Sequence, residues 1–217
     1  MSSFKDTLTI NTTGPAVAVD GRIVGERVLV TRQRLADALA HLLSSQPFRD
    51  IKVIDIARQA GTSPATFYQY CSSVEDALQL VAHHLIQESS QLTSDAAAAE
   101  GIGGLTAARQ VIDRLFGFWQ THQAVIRAID ANAAEGDERF VKVRNQLLSA
   151  AGTPLDRAME RQGPSARSTM RPKVLAGALV TLLASAATHE SGFTAWGTPD
   201  ELRDCLASPV VNSIKAA

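Results

Sequence analysis

Ile51-Lys-Val-Ile-Asp-Ile-Ala-Arg-Gln-Ala-Gly-Thr-Ser-Pro-Ala-Thr-Phe-Tyr-Gln-Tyr70 is the stretch that decides the fold. Two short helices with a tight corner are written into it. The first runs from about Val53 to Ala60, with Val53, Ile56 and Ala60 on its inner face. Gly61 supplies the corner, where a positive φ costs a glycine little. The second opens at Ser63-Pro64, a side-chain cap followed by proline at the first helical position, and ends near Tyr70. A helix-turn-helix needs a small residue where its helices cross, a turn glycine and an apolar anchor on the second helix. Ala57, Gly61 and Phe67 fill those places. Helical spacing turns Phe67 inward and leaves Pro64, Ala65, Tyr68 and Gln69 on other faces, so a tyrosine hydroxyl of Tyr68 or Tyr70 is free to bond phosphate.

Working outward, Leu35, Leu39, Leu42 and Leu43 form one helical stripe that follows Thr31 as cap and stops before Pro47. A fourth helix starts at Val74, with Ser73 as cap and Glu75 and Asp76 in its favourable first turn. Ser89–Gly104 reads as a frayed end and a loop. Helical patterns follow at 105–121, 123–133 and 137–162, the last with Pro154 expected to kink or split it. Gln162–Arg171 reads as a loop, Pro172–His189 as a long Ala/Leu helix, Gly192–Pro199 as a turn, and Asp200–Ile214 as a last helix disturbed by Pro209. Residues 1–30 differ: Asp20-Gly21 between apolar runs is a hairpin signal, and a flexible arm is the other reading. The expected architecture is all-α, with an arm at 1–30, a three-helix helix-turn-helix unit at 31–75 and a larger helical body at 76–217.

Composition bounds the function. The 217 residues carry 21 Lys+Arg against 22 Asp+Glu, so the chain does not coat nucleic acid by charge alone. Two cysteines, Cys71 and Cys205, stand far apart, which fits a reducing compartment. No export signal and no run of about 18 apolar residues is present, so a cytoplasmic protein without a membrane span is expected. The histidines lack metal-ligand spacing, and no nucleophile elbow, phosphate loop or carboxylate pair stands out. No metal, cofactor or catalysis is expected.

The segment from Leu35 to about Leu85 resembles the tetracycline-repressor (TetR) family. The residues that carry the resemblance are Phe48, Asp55-Ile56-Ala57, Ala60-Gly61, Ser63, Thr66-Phe67-Tyr68, Tyr70, Glu75 and Leu78. Pro47-Phe48, Thr66-Phe67-Tyr68-x-Tyr70 and the Phe116–Ala128 stretch look most like the ethionamide-resistance regulator within it. The resemblance implies a homodimeric repressor of a palindromic double-stranded DNA operator, released by a small lipophilic effector. It places Lys52, Thr62, Ser63, Pro64, Ala65, Thr66, Tyr68, Gln69 and Tyr70 on the DNA side. It also implies a cavity in the body, for which Phe116, Trp119, Phe140, Leu147, Met159, Val180 and Leu183 are the candidate lining, with Thr121, His122 and Thr181 as polar groups.

Three positions depart from the family's pattern: Lys52 where a capping Thr is usual, Cys71 for an aromatic, and Val74 for a lysine. Residues 31–80 hold five basic and five acidic side chains, so weak affinity for random DNA is expected. That neutrality keeps open a second reading, an all-α small-molecule-binding protein without operator binding. For the dimer, Val174–His189 is expected to offer its small residues to a second copy while its leucines fill the chain's own core. The last helix, with Leu202, Leu206, Val210 and Val211, would complete a four-helix interface.

Overall fold

The computed structural model describes residues 26–98, 105–161 and 172–216. Among them every regular element is a helix: α1 (Glu26–Leu43), α2 (Val53–Gln59), α3 (Pro64–Tyr70), α4 (Val74–Ala98), α5 (Leu105–Thr121), α6 (Gln123–Ala134), α7 (Glu138–Arg161), α8 (Pro172–Thr188), α9 (Glu190–Phe193) and α10 (Pro199–Ala216). A single 3-10 turn, Phe48–Asp50, follows Pro47.

The small N-terminal unit is built by local rules. Leu35, Leu39, Ile56, Ala57, Phe67 and Leu78 are buried together, and α1 packs on both α2 and α4. Gly61 takes the corner at φ 67°, and Thr62 N–H closes it on Ala57 O at 2.9 Å. Helix α4 continues out of this unit and lies along α7, which also packs against α6, α8 and α10. Helix α5 sits between α8 and α10, and α1 touches α6.

Several elements differ from the sequence expectation. Helix α1 begins at Glu26, so Thr31 lies inside it and not at its N-terminus. The added turns carry Leu29 and Val30 exposed, and residues that pack on nothing give no periodic signal. Helix α4 runs on through Ser89 to Ala98, because a nucleated helix extends cheaply through alanines. Neither Pro154 in α7 nor Pro209 in α10 splits its helix. Burial of α7 against four neighbours outweighs a proline's local cost of about 3 kcal/mol. Residues 190–193 form the one-turn helix α9, which overlaps the start of the turn expected at 192–199. Helix α10 opens on a complete capping box: Glu201 N–H donates to the Thr198 hydroxyl at 3.2 Å, and Thr198 N–H donates to the Glu201 carboxylate at 2.7 Å. The arm's hairpin signal and the loop at 162–171 fall outside the described residues.

Candidate nucleic-acid interface and ligand pocket

Helix α3 is set by three features that leave one face bare. The Ser63 hydroxyl accepts from Thr66 N–H at 3.1 Å, Pro64 occupies the first position, where its missing N–H costs nothing, and Phe67 is fully buried. Pro64, Ala65, Tyr68 and Gln69, at i, i+1, i+4 and i+5, then form one exposed strip. Tyr68 is 60% exposed and stands edge-on to the Phe67 ring, which fixes its direction and leaves its hydroxyl to solvent. Ser63 is exposed beside the strip, while Thr62 and Thr66 are half-buried. Tyr70 is different: it is half-buried and packed against the core.

Lys52 occupies the N-cap of α2, and an ammonium has no lone pair with which to cap. The cap is therefore one-sided, with Lys52 N–H donating to the Asp55 carboxylate at 3.2 Å. The Lys52 side chain is exposed and meets no carboxylate among the described residues. Two other cations of this unit face acids close in sequence, Arg58 to Asp55 at 3.6 Å and Arg49 to Asp50 at 3.9 Å.

The corner after α3 is tied to the body. Asp76 accepts from Ser72 N–H at 2.9 Å and from the Ser72 hydroxyl, and Arg139 at the start of α7 reaches it at 3.0 Å. Burial alone would raise the Asp76 pKa, but the Ser72 bonds and the Arg139 charge outweigh it and hold the carboxyl below its ordinary value. Cys71, just after α3, is a buried free thiol. Its pKa is pushed up to about 11, by burial first and by the Asp76 charge second.

In the body, a hollow opens between α4, α5 and α7, lined by Ser89, Val111, Arg114, Leu115, Phe118, Trp119 and Ala151. Its volume is about 30 Å³, and it is open to solvent. Trp119 alone of the sequence-selected lining belongs to it. Phe116, Phe140, Leu147, Val180 and Leu183 are buried core residues, with the Phe116 ring under the Arg203 guanidinium at 5.0 Å. The Met159 side chain lies outside those described.

None of the three polar candidates lines this hollow. Thr121 is exposed, and so is Thr181, whose hydroxyl donates back to Gly177 O at 2.9 Å. His122 stands behind the wall, its ring 4.8 Å from that of Phe118 and its Nε2 3.0 Å from Glu88. Ser89 was missed because its stretch read as a helix end. Its hydroxyl is buried and donates to Ile86 O at 2.9 Å. Arg114 was missed although Val111, Leu115 and Phe118 mark its face at helical spacing, beside the Ile112, Phe116 and Trp119 stripe.

Helix α8 exposes Val174, Gly177, Ala178, Thr181, Leu182 and Ser185 along one side, Leu182 at 51% and Val174 at 60%. The division expected from residue size is wrong in detail. Ala176, Ala184, Ala186 and Ala187 face the chain's own core, and Leu182 faces out.

Residues 90–215, more than half of the chain, match the sequence model of the tetracyclin repressor-like C-terminal domain. No curated protein matches the chain. Solved structures do. A TetR-family transcriptional regulator from Streptomyces coelicolor is 16% identical over 84% of this chain and 79% of its own, at a TM-score of 0.64. FadR of Bacillus subtilis, solved in complex with stearoyl-CoA, is 16% identical over 83% of this chain and 98% of its own, at 0.64. A protein from Saccharomonospora viridis assigned as a transcriptional regulator, in complex with choline, is 17% identical over 82% and 93%, at 0.61. At such identities the likeness is one of fold, and it extends over the N-terminal helices as well as the matched domain. With a helix-turn-helix unit in front of that domain, the chain belongs to the tetracyclin repressor-like (TetR) family.

Proposed function

We propose that this chain is a ligand-responsive transcriptional repressor, without catalysis, that binds a palindromic operator as a homodimer and is released by a small lipophilic effector. The observation that carries the reading is α3: a helix pinned by a buried Phe67 and a Ser63 cap, presenting Pro64, Ala65, Tyr68 and Gln69 together to solvent. A rigid, polar-tipped helix of this kind suits a major groove, with Tyr68 and Lys52 meeting phosphate. Thr62, Ser63, Thr66 and Tyr70 flank that surface. The units at 31–75 and 76–217 divide the work between reading and sensing, and such a regulator works in the cytoplasm. Among the described residues no helix is long and apolar enough to cross a membrane.

The open face of α8, with α10 beside it, is the surface offered to the second copy. Release follows from population shift: the effector must bind the body of the DNA-incompetent dimer more tightly, since equal affinity shifts nothing. Trp119, in the wall of the hollow, is the residue whose truncation to Ala changes the effector response first. The likeness to the ethionamide-resistance regulator belongs to this proposal and agrees with an apolar effector.

One observation favours the second reading, a small-molecule-binding protein without operator binding: Arg49 and Arg58 spend their charge on neighbouring acids in an already neutral reader. A fluorescence-anisotropy titration of the DNA upstream of the protein's own gene separates the two. Saturable binding that weakens in Tyr68→Phe supports the repressor. Equal, weak binding to that DNA and to random duplex supports the second reading.

A further inference from the structure

The hollow between α4, α5 and α7 has an uneven chemistry. Five of its seven lining residues are apolar, and the two polar ones are Ser89 inside and Arg114, an exposed residue. Arg109 is held by Asp113, Asp200 and Asp204, Arg139 by Asp76 and Asp137, and Arg203 by Asp113 and Glu190. Arg114 has no carboxylate within ion-pair distance among the described residues. The nearby acid Glu88, next to Ser89 in sequence, is engaged by His122. A cation is thus left unmatched beside an opening whose interior is apolar.

We propose that this hollow takes an apolar chain with a single anionic head, the tail entering beside Phe118 and Trp119 and the head meeting Arg114. The inference rests on the reading of the hollow as the effector site and adds the charge of the ligand. The hollow, about 30 Å³, is far smaller than the roughly 300–1,000 Å³ of a pocket that encloses a small molecule. A chain of several carbons therefore enters only if Phe118 or Trp119 moves aside, while its head stays at the mouth, where Arg114 lies. A guanidinium gives a carboxylate or phosphate two parallel hydrogen bonds, which an alcohol cannot match and a quaternary ammonium is repelled by. Bridging a free carboxylate or the phosphates of a thioester carrier is the same chemistry at Arg114.

The test uses the full chain carrying W196F, which leaves Trp119 as the sole tryptophan emitter. Octanoate, octanoyl-CoA, octan-1-ol and octyltrimethylammonium are titrated below their micelle concentrations, following Trp119 emission. The expected result is that octanoate or octanoyl-CoA binds about tenfold tighter than octanol, and the ammonium more weakly than octanol. R114Q then brings the anion and the alcohol within about twofold, with octanol affinity unchanged and helical circular dichroism intact. Whichever anion binds tighter identifies the head as a free carboxylate or a thioester carrier. Octanol binding as tightly as both anions, or a preference that survives in R114Q, overturns the proposal and leaves the effector site standing. No Trp119 response to any of the four overturns the effector site and the proposal together.

Discussion

Helices α2 and α3 and the wall made by α5 and α10 are held in opposite ways. The first pair is shaped by bonds a few residues long: Thr62 to Ala57, Thr66 to Ser63, Lys52 to Asp55, all around a fully buried Phe67. The second pair is joined by charges far apart in sequence. Arg109 on α5 reaches Asp200 on α10 at 2.7 Å and Asp204 beside it, while Arg203 on α10 reaches Asp113 at 3.3 Å and Glu190 at 2.6 Å. Local caps and close packing hold a shape with little give. Ion pairs at a partly wet surface give way to salt and to small displacements at modest cost. On the proposed function, a helix pair that matches a groove and a body that changes shape around a ligand would each be stabilised according to its task.

The contrast is broken most severely by Phe67→Ala. Removing a fully buried anchor from a unit this small costs about 3–5 kcal/mol. Operator binding should vanish while the body keeps its helices, seen as an early, partial loss of helical circular dichroism in urea. A single late transition would mean that the two regions are one cooperative unit. Next comes Gly177→Arg, at a site where nothing lies within 4 Å of an added Cβ. Sedimentation should show a folded monomer with its tight operator binding lost. A wild-type protein that sediments as a monomer at micromolar concentration defeats the dimer.

A smaller effect concerns the tie between the regions. The Asp76 carboxyl is held below its ordinary pKa, so its contribution to stability is full at neutral pH and is lost as pH falls below about 4. Asp76→Asn should melt lower than wild type at pH 7, and the two melting temperatures should converge as pH falls below about 4. Parallel curves would show that the Arg139 contact is not coupled to folding. The smallest is Lys52→Ala, which should leave stability unchanged and reduce the slope of log affinity against log salt by about 1. An unchanged slope would take Lys52 off the DNA.

The reader was legible because its signals are punctuation. Ser63, Pro64 and Gly61 fix where helices start and stop, and Phe67 fixes the inner face, whatever the rest of the chain does. The body offered periodicity alone. Helix α8 is apolar nearly all round, so nothing in its sequence says that Leu182 faces out while Ala184 faces in. Helix α5 carries two apolar stripes side by side, and only packing against α10 and α4 decides which of their residues line the hollow. Ser89 became visible only once α4 was seen to continue past it. Long-range ion pairs such as Arg109 with Asp204 leave no trace in local spacing.

The central claim is that two copies of α3 read one DNA site. Hydroxyl-radical footprinting of the DNA upstream of the gene tests it directly. Two symmetric protected segments are predicted, centred about 34–36 Å apart or a multiple of that, and both should disappear together in Gly177→Arg. A single asymmetric segment that survives in Gly177→Arg, or no protection at a concentration where the protein is folded, would contradict it.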